Sequence, residues 1–168
     1  MKRALTVLIA GLITGSVFAD EPAKAVIDRF YKSYLGQPDA TKSKQPPLAF
    51  SRSFQDLIRE DTKVCKAKAG TDSCGWGADG DVYLNAQEVD PALTYENSRI
   101  SITEPKPGSV EVKLNVYPSS KEAGAAYDRT ITFLMIREKD QCVVDDIVYG
   151  KDSSRKNIQK EIASYIHK

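Results

Sequence analysis

VEVKLNV, residues 110–116, alternates without a break: Val110, Val112, Leu114 and Val116 are apolar, and Glu111, Lys113 and Asn115 are polar. A period of two puts one set on each face, so the run reads as a strand buried on one side. Such strands belong to antiparallel sheets with one face covered. Upstream, Ile100 and Ile102 alternate with Ser101 and Thr103, and Pro105-Lys106-Pro107-Gly108 reads as a turn. Downstream, PSSKEAGA leads to Tyr127–Arg137, rich in β-branched residues and nearly apolar on both faces. Glu138–Gln141 is the next turn, Cys142–Tyr149 the last strand, and Gly150 its end.

Helical spacing brackets this meander. Val26, Ile27, Phe30, Tyr31, Tyr34 and Leu35 form one broad stripe behind Asp20-Glu21-Pro22, and Gly36 and Pro38 end that helix. Residues 37–47 are a polar, proline-rich connection. A second helix runs from about Leu48 to Lys66 with Phe50, Phe54, Leu57 and Ile58 as its stripe. Asp152 or Ser153 caps a third, which carries Ile158, Ile162, Tyr165 and Ile166. The expected fold is α+β: a curved antiparallel sheet of about four strands, packed by N-terminal helices and a C-terminal helix, with any unfilled face forming a cone-shaped hollow.

Residues 1–19, MKRALTVLIAGLITGSVFA, show two cations, a short apolar run and a small-residue end. That is the layout of a secretory signal peptide cleaved after Ala19, and its apolar core is too short to span a bilayer. The expectation is a periplasmic protein with no membrane span, in which residues 20–168 form one domain. Removing the signal leaves 22 cations against 23 acids, a net charge of −1. Without a basic field, nucleic acid is not an expected partner.

Export permits disulfides, and Cys65, Cys74 and Cys142 allow three single pairings. Cys65 and Cys74 flank the short polar loop KAKAGTDS, so they are the expected bridge. Closing that ring contributes about 2–3 kcal/mol in the chain-entropy model. Cys142 opens an apolar strand and reads as a free, buried, inert thiol. Zinc needs more Cys and His than the chain supplies, and no metal or cofactor is expected.

The order of these parts, with the LNAQE segment (84–88) and the Asp146-Ile147-Val148-Tyr149-Gly150 strand end, resembles the DUF3828 domain family of small exported bacterial proteins. Those proteins are placed with the NTF2-like (cystatin-like) folds. The resemblance spans roughly residues 23 to 166 and implies a fold and export, but no settled activity. Cys142 departs from it, standing where such last strands often carry a bulky aromatic.

The chemistry concentrates in GWGADGDVYLNAQEVDP, residues 75–91, which holds the only tryptophan. With Gly80 at the glycine position of an EF-hand, Ala86 falls where a bidentate glutamate is required, so that motif fails. A calcium site of another kind from Asp79, Asp81 and Glu88 stays open beside the plainer reading of Asp79-Gly80 as a turn. Trp76 is either a core lid or an exposed contact residue. Asp145 and Asp146 are adjacent on a strand and should point to opposite faces, one of them inward. An inward Asp146 is either a general base or a structural carboxylate. His167 is the only histidine and next to last, which argues against triad and His-dependent acid–base chemistry. No Gly-rich phosphate loop or G-x-S-x-G elbow occurs.

The reading is therefore a non-enzymatic periplasmic binding protein, monomer or homodimer, that uses the sheet hollow or its rim for a small ligand or protein partner. Trp76, Asp79, Asp81, Glu88, Asp90 and Asp146 are the candidate binding residues, with the acids steering a basic partner. Two alternatives accompany it: an inhibitor or immunity-type protein that neutralises a cell-wall- or membrane-directed enzyme, and a small Asp-dependent hydrolase, isomerase or dehydratase.

Overall fold

The expected meander forms. The computed structural model of the chain describes residues 21–35, 48–69, 74–120 and 125–166. Residues 1–20, expected to hold a signal peptide, the whole of the 37–47 connection, part of the loop between Cys65 and Cys74, residues 121–124, and His167 with Lys168 lie outside the described residues. Strands β1 (Ser101–Lys106), β2 (Ser109–Asn115), β3 (Asp128–Glu138), β4 (Gln141–Tyr149) and β5 (Asp152–Ser153) pair in chain order. Every pair is antiparallel, so the sheet has five strands rather than about four. The extra strand, β5, is two residues long and folds back across Gly150, whose φ of 64° supplies the reversal.

In β2, Val110, Val112 and Leu114 are buried while Lys113 is exposed, as the alternation predicts, but Asn115 is buried too, its amide donating to Asp128 Oδ1 at 2.8 Å. Pro105 does not begin the turn. It lies in edge strand β1 at a register shift between Thr103 and Lys106, where a missing N–H is tolerated. The β3–β4 turn is two residues, Lys139 and Asp140, both at positive φ (48° and 65°), which is the hairpin geometry that matches strand twist.

Three helices complete the domain: α1 (Ala23–Leu35), α2 (Arg52–Ala69) and α3 (Ser154–Ile166). Ala23, Ile27, Tyr31 and Leu35 bury one α1 stripe at a spacing of four. Helix α2 begins later than expected, because Ala49–Ser51 is drawn onto β4. Ser51 N–H donates to the Val144 carbonyl and Val144 N–H to the Ala49 carbonyl, both at 2.8 Å. Ser51 Oγ then caps the helix by accepting Phe54 N–H at 3.1 Å. Ser153 caps α3 by accepting Lys156 N–H at 3.1 Å.

Tyr31, Phe54, Leu84, Phe133, Ile147 and Ile158 are fully buried, so side chains from every layer fill the space between helices and sheet. Each such side chain contributes about 1.5–3 kcal/mol over leaving it exposed. The chemistry is thereby pushed to the rim. No helix among the described residues is long and apolar enough to cross a membrane.

Candidate functional site

Residues 75–87 form an irregular segment at the rim, and the local sequence explains its path. Gly75 and Gly77 both take φ of 87°. A Cβ on Gly75 would stand 2.9 Å from Thr62 Oγ1 and 3.2 Å from Asp61 Oδ2, so the segment lies directly against α2. The Cys65–Cys74 bridge forms just before it, with the two Cα atoms 5.8 Å apart. Trp76 N–H donates to Asp61 Oδ2 at 2.8 Å.

Three tyrosine hydroxyls hold the middle of the segment. Tyr31 and Tyr34 of α1 donate to the Tyr83 carbonyl and to Asp81 Oδ2, each at 2.5 Å. Tyr149 of β4 donates to the Val82 carbonyl at 2.7 Å. Asp81 Oδ1 accepts Tyr83 N–H at 2.9 Å and Leu84 N–H at 3.1 Å. Leu84 is wholly buried and anchors the turn to the core. Arg129 Nε meets the Asn85 carbonyl at 3.0 Å. Both oxygens of Asp81 are therefore committed to shaping the chain.

An open cleft of about 330 Å³ runs along this segment. Residues 75–82 and 85–87 line it, Trp76, Asp79 and Asp81 among them, together with Tyr149 of β4 and Glu161 of α3. Among the described residues, three carboxylates and no Lys, Arg or His contribute to the lining. Asp79 is exposed. Partial burial raises the pKa of Glu161, and the charges of Asp61 and Asp79 add to the rise, against a hydrogen bond from Tyr165. Asp61 lies behind the wall, wholly buried; burial raises its pKa while Trp76 N–H pulls it back. Burial also lifts Tyr83 to about 12, helped by Asp81, so it stays a neutral phenol.

The structure divides the candidate residues. Trp76, Asp79 and Asp81 meet at the cleft. Trp76 is half-buried and packs against Phe50 and Phe54, with ring centroids 5.9 and 5.4 Å away, so it is a lid on the core and a cleft wall together. Glu88 is exposed but lies outside the lining. Asp90 is not a contact residue: it is buried, accepting Ala92 N–H and Ser119 N–H at 2.9 Å each and the Ser119 hydroxyl.

Asp146 is likewise structural. It is buried and accepts the Ser153 hydroxyl at 2.5 Å and Arg155 N–H at 3.0 Å. Nor do Asp145 and Asp146 part company as a regular strand would require. Leu134 pairs with Asp146 but Met135 with Val144, leaving Asp145 as the extra residue of a bulge. Asp145 Oδ1 then binds Arg155 Nη2 and Ser51 Oγ, each at 2.6 Å. Both carboxylates thus fasten the first turn of α3, where negative charge is favourable.

Sequence reasoning missed Tyr149, Glu161 and Asp61 as parts of the site. Asp61 had a visible signal: it falls on the apolar stripe of α2, in line with Phe54, Leu57, Ile58 and Cys65. Cys142 is free, but half-buried rather than buried, and burial raises its thiol pKa.

No protein-family model and no curated protein matches the chain. Among solved structures it is similar to a protein of unknown function from Bacteroides thetaiotaomicron VPI-5482. That likeness has 14% identity and a TM-score of 0.40, and covers 75% of this chain and 85% of the other. A likeness this low carries neither fold nor site across. The chain is thus an α+β fold with an open five-stranded antiparallel sheet and an acidic cleft at its rim.

Proposed function

We propose that this chain is an exported, non-enzymatic binding protein of NTF2-like type whose contact site is the rim cleft, and that it takes a positively charged group of a protein or small ligand. The observation that carries this reading is the lining: Asp79, Asp81 and Glu161 with Trp76 and Tyr149, and no cation among the described residues. About 330 Å³ is at the low end for small-ligand pockets, enough for a lysine or arginine side chain or a small amine. An aromatic wall beside carboxylates suits such a group, since the ring face attracts a cation and the carboxylates accept its hydrogen bonds. A rim position agrees with the filled interior, and the engagement of Asp145 and Asp146 leaves neither free to act as a general base. The disulfide and residues 1–19 support export to the periplasm, and the helix–helix–meander–helix order supports the NTF2-like assignment.

Trp76 is the only tryptophan and lines the cleft, so its emission responds to what enters there. Titration with trilysine and triarginine should give a saturable change that is absent with fully acetylated trilysine. Equal responses to the charged and acetylated peptides, or none to either, would overturn the reading.

A further inference from the structure

Asp61 lies directly behind the cleft wall, with 0% of its surface exposed. Its Oδ2 accepts Trp76 N–H, but Oδ1 has no hydrogen-bond partner among the described residues. One turn away on α2 stand Leu57, Ile58, Val64 and Cys65, none of which can pair with it. Glu161 and Tyr165 of α3 interact with it electrostatically, and Gly75 and Trp76 cover it. Glu161 is no better supplied. Its neighbours one turn away are Asn157, Ile158, Ser164 and Tyr165, and its one hydrogen bond, from the Tyr165 hydroxyl, is long at 3.4 Å. Among the described residues, the charges that act on Glu161 are those of Asp61 and Asp79, both negative.

A buried carboxylate with a bare oxygen is costly when ionised. Asp61 is such a group, and Glu161, half-buried at the cleft, lies within electrostatic reach of it, so the protonation of one depends on the charge of the other. We propose that Asp61 and Glu161 take up one proton as a pair, and that this proton sets the charge of the cleft. With the proton bound, the pair carries one negative charge instead of two, so the cleft attracts a cation less. With it released, Glu161 faces the cleft ionised and Asp61 holds the Trp76 backbone through a charge-assisted bond. Burial favours the protonated form of both groups, which agrees with the geometry. The consequence for binding, affinity for a basic group that rises with pH, rests on the cleft being the contact site; the shared proton does not.

The test uses the free, oxidised protein and follows Trp76 emission from about pH 4 to about pH 8, a window that starts at ordinary carboxylate values. Wild type should show one step with its midpoint above the ordinary carboxylate range. Asp61→Asn should abolish the step. Glu161→Gln should move its midpoint down, because the neighbouring negative charge is gone. If Asp61→Asn does not fold, Glu161→Gln alone decides. A wild-type curve without a step above the ordinary range, or a midpoint unchanged in Glu161→Gln, would overturn the proposal. No partner is added, so a negative peptide titration would count against the contact site and not against the proton.

Discussion

Asp81→Ala is the sharpest probe of how the cleft is built. The carboxylate accepts three hydrogen bonds, from the Tyr34 hydroxyl and from the Tyr83 and Leu84 N–H groups. Its segment is only partly buried, so water replaces some of what is lost. At about 1 kcal/mol net per bond, alanine should destabilise by about 3 kcal/mol. For a domain of this size each kcal/mol moves the melting temperature by about 2–4 °C, which gives a fall of about 6–12 °C. Asp81→Asn keeps an acceptor for the two N–H groups and should cost about 1 kcal/mol. Tyr34→Phe should cost about as much. The Tyr34–Asp81 double-mutant cycle should show coupling of at least about 0.5 kcal/mol, because the two groups are in direct contact. Circular dichroism melts of the oxidised protein measure all four. Millimolar calcium should leave the wild-type melt unmoved, since Asp81 is already saturated. An Asp81→Ala melt within about 0.5 kcal/mol of wild type, the range of an ordinary surface change, would refute the reasoning.

Two other expectations follow from the packing. Trp76→Ala should destabilise by about 2 kcal/mol, less than a full core truncation because the ring is half-buried against Phe50 and Phe54, and the variant should still melt cooperatively. Alkylation should label Cys142 alone and slowly in the native protein, because burial suppresses its thiolate, while Cys65 and Cys74 should label only after reduction.

The sheet was legible because its signals are local. Val110–Val116 alternates, α1 repeats apolar residues at helical spacing, and Ser153 stands where a cap is needed. Errors arose where a distant partner overrides a local pattern. Leu48 and Phe50 extend the helical stripe, yet residues 49–51 hydrogen-bond along β4 because Ser51 caps the helix at that point. Adjacent Asp145 and Asp146 reach one helix turn because of a bulge that leaves no mark in the residues themselves. β5 is too short for any periodicity. In the site, the acidic segment was visible as composition. Its opposite wall was not, since Tyr149 and Glu161 come from elements far along the chain and meet it only in three dimensions. Asp90 shows the converse: acidic and close in sequence to Trp76, it is buried in loop-closing bonds.

The measurement that bears most directly on the cleft is a trilysine titration, read by Trp76 emission, of wild type beside the Asp79→Asn/Glu161→Gln double variant. Among the described residues, neither of these cleft carboxylates bonds to the segment, and Glu161 accepts only the long bond from Tyr165. Both proteins should fold with the same melting temperature to within about 1 kcal/mol of stability, as surface changes do. Wild type should bind saturably and more weakly as salt is raised, because screened surface charges carry the attraction. The double variant should lose at least about tenfold in affinity, equivalent to about 1.4 kcal/mol. Equal affinity in the two proteins would place the contact elsewhere on the molecule and contradict the account.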